Sequence, residues 1–180
     1  MQQIVKIDYE DSKLVERLAA IAYEAFKETA PNWLANQNAS TELVLTGAGS
    51  NRFGNVYFRE DTAVGWVGVI LRRHVWEIHP IAVDPRNQEE GVGRKLVEGI
   101  AERAKAAGVA TLLAATSDET GTTNLFGKDL YQDPALAITE IEIADRSPLA
   151  FWRSVGFTVV GIVPDEEGPG KPGIHLARKL

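Results

Sequence analysis

The sequence predicts an α/β domain with a mixed central sheet and flanking helices. Three observations carry that expectation. Short runs rich in β-branched and aromatic residues alternate with stretches of helical periodicity. The strand-like runs come first as a hairpin and later with helices between them. The chain of 180 residues is an ordinary length for one domain with its own core, so residues 1–180 are expected to fold as a single unit.

Element by element, "QIVKI" reads as a short first strand. From Asp11 to Lys27, apolar residues fall at Leu14, Val15, Leu18, Ile21, Ala22 and Phe26, the spacing of a helix with one buried face. Residues 28–54 are polar and turn-rich, with a short helix expected near Leu43-Val44-Leu45. Within them "GAGSNRFG" resembles a phosphate loop only in its glycines. It lacks the Lys-Ser/Thr pair and a following helix, and reads as a turn. "NVYFRE" and "DTAVGWVGVILRR" form a hairpin turning near Glu60-Asp61, and "HVWEIHPIAVD" is the next strand. Gly91 to Ala107 carries Val92, Leu96, Ile100 and Ala104 on one stripe, with Gly108 to end the helix. "ATLLAATS" is a buried strand, 117–146 a long excursion, and Pro148–Val155 a short helix. "FTVVGIV" and "GIHLARKL" close the chain as strands.

Composition narrows the chemistry. The chain has no Cys, which excludes disulfides, thiolate metal ligands and thiol catalysis, and no metal site is expected. The formal net charge of -6 argues against nucleic acid, whose phosphates need a basic surface, and suits a cationic small molecule. No apolar run has the length of a membrane span, and the first residues lack the pattern of an export signal. No membrane partner is expected, and a cytoplasmic location is.

The segment most suggestive of chemistry is "WEIHPIAVDPRNQEEGVG", residues 76–93. A strand ends at Val83-Asp84, Pro85 forces a turn, and Gly91 and Gly93 open a helix. Free N–H groups at a helix start carry partial positive charge and bind anions, and glycine lets backbone approach a ligand. Arg94 and Lys95 in the first turn oppose the helix dipole, which an anion beside them explains. Upstream, strict alternation sets Glu77, His79, Ile81 and Val83 on one face, while Pro80 cannot donate to a ladder and marks a bulge or splay. Glu77 also has a plain reading, an ion pair with Arg72 or Arg73. Asp118 has one too, a cap at a strand end.

Two separated motifs in this order, Gln88 to Gly93 and "FWRSVGF" at 151–157, resemble the GNAT acyltransferases. Their pattern is Gln/Arg-x-x-Gly-x-Gly/Ala after the fourth strand, then Phe-Tyr-x-x-x-Gly-Phe. The resemblance runs from about residue 13 to the end. It implies the GNAT fold with strands 4 and 5 splayed, acetyl-CoA as cosubstrate and a homodimer. "WEIHPIAVDP", "ATSDETGTTNLFGKDLY" and "VVGIVPDEEGPGKPGIHLARKL" are similar to a branch of aminoglycoside 6'-N-acetyltransferases, which inactivate antibiotics. Carried over residue by residue, that likeness implies Glu77 as acceptor of the ammonium proton and as a substrate contact. It implies His79 as proton relay or thioester-positioning group, and Asp118 facing the substrate amines. Ile81, with Ala82 and Val83, would offer backbone amides to the pantetheine arm and thioester oxygen. Gln88, Glu89, Glu90, Gly91, Val92, Gly93 and Arg94 would hold the diphosphate, and Phe151 would contact the cofactor.

The chain departs from the pattern at several positions. Trp152 stands where the family has its general-acid Tyr, and indole cannot release a proton at neutral pH. Glu89 and Glu90 put like charge beside a diphosphate unless they turn to solvent. Gly173 replaces the Asp of Lys-Pro-Asp-Ile, and Asp145 stands where many members have a CoA-contacting Asn. The same residues fit two other readings: an acetyltransferase of another amine or a protein N-terminus, and a non-catalytic acyl-CoA-binding module.

Overall fold

Each run read as a strand joins one sheet. The computed structural model describes residues 2–144 and 147–180. The strands are β1 (Gln2–Lys6), β2 (Arg52–Arg59), β3 (Thr62–Leu71), β4 (Val75–Val83), β5 (Thr111–Ser117), β6 (Thr158–Val163) and β7 (Gly173–Lys179). The helices are α1 (Ser12–Phe26), α2 (Gln37–Thr46), α3 (Val92–Ala106), α4 (Pro134–Thr139) and α5 (Pro148–Ser154). The sheet order is β1-β2-β3-β4-β5-β7-β6, with β7 inserted between β5 and β6. All neighbours are antiparallel except β4 and β5, which α3 connects in parallel. This is the mixed α/β sheet that the sequence predicts. The expected role of Asp145 falls outside the described residues.

Helices cover both faces because both faces are apolar. On one side Val92, Leu96, Val97 and Ile100 of α3, with Leu149 and Trp152 of α5, bury Val67, Val69, Ile78, Leu112, Ala114, Ile174 and Leu176. On the other, Val15, Leu18, Ile21 and Ala22 of α1 and Val44 of α2 pack on Val56, Trp66 and Ala82. Side chains cap α1 (Asp11), α2 (Asn36), α4 (Asp133) and α5 (Ser147) by accepting bonds from first-turn N–H groups. Helix α3 alone among the described helices of this length begins on a glycine, Gly91, with no side-chain cap.

The alternation expected along β4 breaks in the middle. Ile78 pairs with Val69 and Ile81 with Val67, so His79 and Pro80 together oppose the single Gly68. This is a β-bulge, at the residue that cannot donate to the ladder. An extra residue reverses the phase of every side chain beyond it. Ile81 and Val83 therefore face the α3 side and Ala82 the α1 side. Glu77, opposite Ile70, lies on the α1 side, and His79 meets Trp33 there. The expectation that Glu77, His79, Ile81 and Val83 share a face is corrected: the bulge divides them into two pairs.

The bulge needs a glycine opposite it. A Cβ on Gly68 would lie 2.6 Å from the carbonyl oxygen of His79, which is backbone and cannot rotate away. Gly68→Ala is expected to destabilise the fold by about 1–3 kcal/mol, the usual cost of overpacking. Urea unfolding checks this, and an unchanged midpoint would mean the bulge has slack.

Candidate active site

The bulge opens the sheet. β4 and β5 pair only at Val75–Thr111, Trp76–Leu112 and Glu77–Leu113, although β4 continues to Val83 and β5 to Ser117. Beyond Glu77 the edge of β4 facing β5 has no strand partner, so its backbone groups line a slot through the sheet. Ile81, Ala82 and Val83 lie on this stretch, still bonded to β3 on their other edge.

The slot leads to the loop before α3. Asp84, only 4% exposed, fixes the loop's start. Its carboxylate accepts from Arg17 Nη2 at 2.6 Å, and from Arg86 through the backbone N–H and the guanidinium. The bond from Arg86 and then that from Arg17, opposed by burial, hold the Asp84 carboxyl far below the usual carboxylate range. Gln88 Nε2 donates to the carbonyl of Val83, closing the turn. Glu89 and Gly91 both adopt left-handed backbone, with φ of 63° and 79°. At Gly91 a Cβ would meet nothing within 4 Å, so the space over the turn is open. The first helical bond runs from Lys95 N to Gly91 O, which leaves the N–H groups of Val92, Gly93 and Arg94 for an anion.

Several side chains of this loop do other work than the sequence suggests. A Cβ on Gly93 would lie 3.0 Å from the Phe151 ring, so this glycine lets α5 pack against α3. Arg94 donates to the carbonyl of Ser154, and Lys95 to Gln2 and Tyr57, so neither is held at the loop as a counter-charge for an anion. Glu90 pairs with Arg59 at 2.6 Å on the solvent-exposed surface. Trp152 is 5% exposed and sits between Phe151 and Phe157 in edge-on contacts.

A second cleft lies on the α1 side of the slot. Leu112, Ala114, Ile174 and Leu176 face the α3-side core, so Leu113, Ala115, Gly173 and His175 face this cleft with Glu77 and His79. The connection between α1 and α2 crosses it. Trp33 stacks edge-on against His79 at 5.7 Å. The backbone N–H of Asn32 donates to Glu119 at 2.7 Å, and its side chain to the Glu167 carbonyl at 3.2 Å. Glu166, on the β6–β7 connection, meets His175 Nε2 at 3.2 Å. Burial, then the charges of Glu119 and Glu166, raises the Glu167 carboxyl above its ordinary value. Burial lowers the basicity of His79, which keeps its ring neutral near neutral pH. Glu77 pairs with the largely exposed Arg72 at 2.7 Å, the plain reading of that residue.

Asp118 does not fit the role expected of it. It is 1% exposed, and its two oxygens accept from the N–H groups of Gly121, Thr122 and Thr123 and from both threonine hydroxyls. It fastens the loop after β5 from within, as the strand-end cap reading would have it. The acidic groups at the cleft are Glu166 and Glu167, with Glu119 beneath them, 4% exposed and bonded by Asn32 N–H and Ser117 Oγ, so that it reaches a ligand only through its charge. In the sequence they stand out only as acidic residues of "SDET" and "PDEEG" without an adjacent basic residue.

The model of the acetyltransferase (GNAT) family matches residues 13–132, and the chain belongs to that family. Against curated proteins nothing matches significantly. An aminoglycoside 6'-N-acetyltransferase solved in complex with coenzyme A superposes with a TM-score of 0.87 at 24% identity, over 98% of this chain and 96% of that one. The aminoglycoside 6'-N-acetyltransferase from Enterococcus faecium gives 0.84 at 24% identity over the same shares. The ribosomal-protein-S18-alanine N-acetyltransferase from Escherichia coli gives 0.64 at 17%, over 99% and 94%. At these identities the likeness is one of fold. Among the described residues no helix is long and apolar enough to cross a membrane.

Asp118→Ala is expected to lower unfolding stability by at least ~2 kcal/mol, because a charged acceptor of several buried bonds is lost. The effect should appear in urea unfolding measured without any ligand. A variant of wild-type stability would return Asp118 to the list of groups free to meet a substrate.

Proposed function

We propose that the protein transfers an acetyl group from acetyl-CoA to a primary amine of a polycationic small molecule, the 6'-amine of an aminoglycoside in the reading the residues favour. The observation that carries this is a slot between β4 and β5 with an uncapped helix start at one end and an acidic cleft on one face. The slot and loop fit the cosubstrate: Gly91 leaves open space, and the N–H groups of Val92, Gly93 and Arg94 lack intrahelical partners. The diphosphate would bind these amides with those of Glu89 and Glu90, and the pantetheine arm would follow the free edge of Ile81, Ala82 and Val83. Phe151, packed on Gly93, would border the same loop.

In the transfer the neutral amine attacks the thioester carbonyl, a C–N bond forms, the C–S bond breaks, the attacking nitrogen gives up a proton and the thiolate takes one up. Glu77 draws the ammonium in, displacing the exposed Arg72, and accepts its proton directly or through water. The neutral ring of His79 orients the incoming amine or relays that proton. The amide at Ile81 polarises the thioester oxygen. Glu119, Glu166 and Glu167 give the cleft the negative field that a polycation needs. Trp152, an indole in an aromatic cluster, does not supply the thiolate proton, so water does. The homodimer and cytoplasmic location implied by the family resemblance belong to this reading.

A thiol-release assay with aminoglycosides bearing or lacking the 6'-amine, and with polyamines and an alanine-ended peptide, tests the reading beside calorimetric CoA binding. Release only with 6'-amino compounds supports it. Release with the other amines alone moves the acceptor to another class, and binding without release makes the protein an acyl-CoA-binding module. In the active pair, Glu77→Gln is expected to lose about tenfold or more in turnover, the value of one charge-assisted contact, with CoA affinity unchanged. Wild-type turnover in that variant would remove Glu77 from the reaction.

Trp152→Tyr is expected to keep or raise kcat, since a positioned acid contributes about 10²–10⁴-fold in general. Single-turnover kinetics on a variant matched to wild type in melting temperature and CoA affinity reads this. A much slower variant would mean that the indole itself assists the reaction.

A further inference from the structure

The start of α3 needs an anion, and the chain carries its own close by. Glu89 and Glu90 immediately precede the helix's N-cap, Gly91, and no side chain caps that helix. A free carboxylate there is drawn to the same N–H groups that would bind a diphosphate, because both satisfy the same dipole. Glu90, however, is turned away. Its Oε2 meets Arg59 Nη2 at 2.6 Å and Asn87 Nδ2 at 3.4 Å. Arg59 is the last residue of β2, beside the tight turn into β3, so it comes from a different part of the sheet from the loop it holds. The neighbouring arginines of this loop, Arg17 and Arg86, are committed to Asp84. Arg59 is the cation committed to Glu90.

We propose that Arg59 is a positioning residue for cofactor affinity: it holds Glu90 off the helix start and cancels its charge, so that the loop does not compete with the diphosphate for its own amides. The inference rests on the acyl-CoA reading of that loop. It accounts for a loop of the anion-binding shape carrying two acidic residues, one of them tied across the sheet edge to a β2 cation.

Calorimetric titration of CoA into four proteins tests it: wild type, Arg59→Ala, Glu90→Gln and the double variant. Arg59→Ala is expected to bind about threefold or more weakly, the scale of one charge at a helix start. Glu90→Gln should bind at least as tightly as wild type, and the double variant should regain wild-type affinity. Arg59→Lys should retain most of it. A structural role for Arg59 alone would not be rescued by removing the charge of Glu90, so a double variant as weak as Arg59→Ala overturns the proposal. Wild-type affinity in Arg59→Ala, or weakened binding in Glu90→Gln, overturns it as well. If wild type itself does not bind CoA, the acyl-CoA reading falls first and this inference with it. If Arg59→Ala does not fold, Glu90→Gln and Arg59→Lys decide the question.

Discussion

β4 parts from β5 after three paired residues, and the site exists because it does. A parallel pair would satisfy the backbone groups of both strands; here the ladder stops at Glu77 and Leu113 while both strands continue. The cause lies on the opposite edge of β4, where two residues oppose Gly68 and bend the strand. That one insertion does three things. It frees backbone toward the slot, sends Ile81 and Val83 to the α3 side, and leaves Glu77 and His79 on the α1 side. Free backbone and two ionisable side chains thus come from one strand without competing for space.

Charge is distributed to match. At the loop before α3 two of the three acids are matched by cations, Asp84 by Arg17 and Arg86 and Glu90 by Arg59, while Glu89 has no ion-pair partner among the described residues. Across the sheet, Glu119 and Glu167 have no ion-pair partner among the described residues, and Glu166 has only His175. The chain's net charge of -6 is therefore not a uniform surface property. Under the proposed function this division would keep an anionic carrier and a cationic acceptor apart, since either ligand would be repelled from the other's half.

Most of the fold could be read from periodicity, and the reason is physical. The helical stripes of α1 and α3 and the hairpin at Glu60-Asp61 are local patterns, each set by residues within a few turns of one another. The bulge was foreseen at Pro80, but not its effect on phase, because alternation is counted along one strand while a bulge is defined against its neighbour. Gly91 and Gly93 look equivalent in the sequence. One adopts left-handed backbone and the other admits the Phe151 ring, a distinction made by a helix nearly 60 residues away. Asp118 misled for the converse reason: its partners are adjacent in sequence, at Gly121, Thr122 and Thr123, and a carboxylate used up by its own loop reads the same as one awaiting a ligand.

At Gly173 a carboxylate from another part of the chain occupies the place where a side chain would stand. A Cβ there would coincide with Oε2 of Glu166, so the carboxylate of the β6–β7 connection fills the volume that residue 173 leaves vacant. Positions 166 and 173 are therefore not free to vary independently. The cleft has room for one occupant at that point, and the chain draws it from the loop where a relative with Asp in the strand would draw it from β7. The carboxyl group at the cleft is thus attached to the connection and not to the strand, so its reach is set by the loop while the sheet beneath stays as it is.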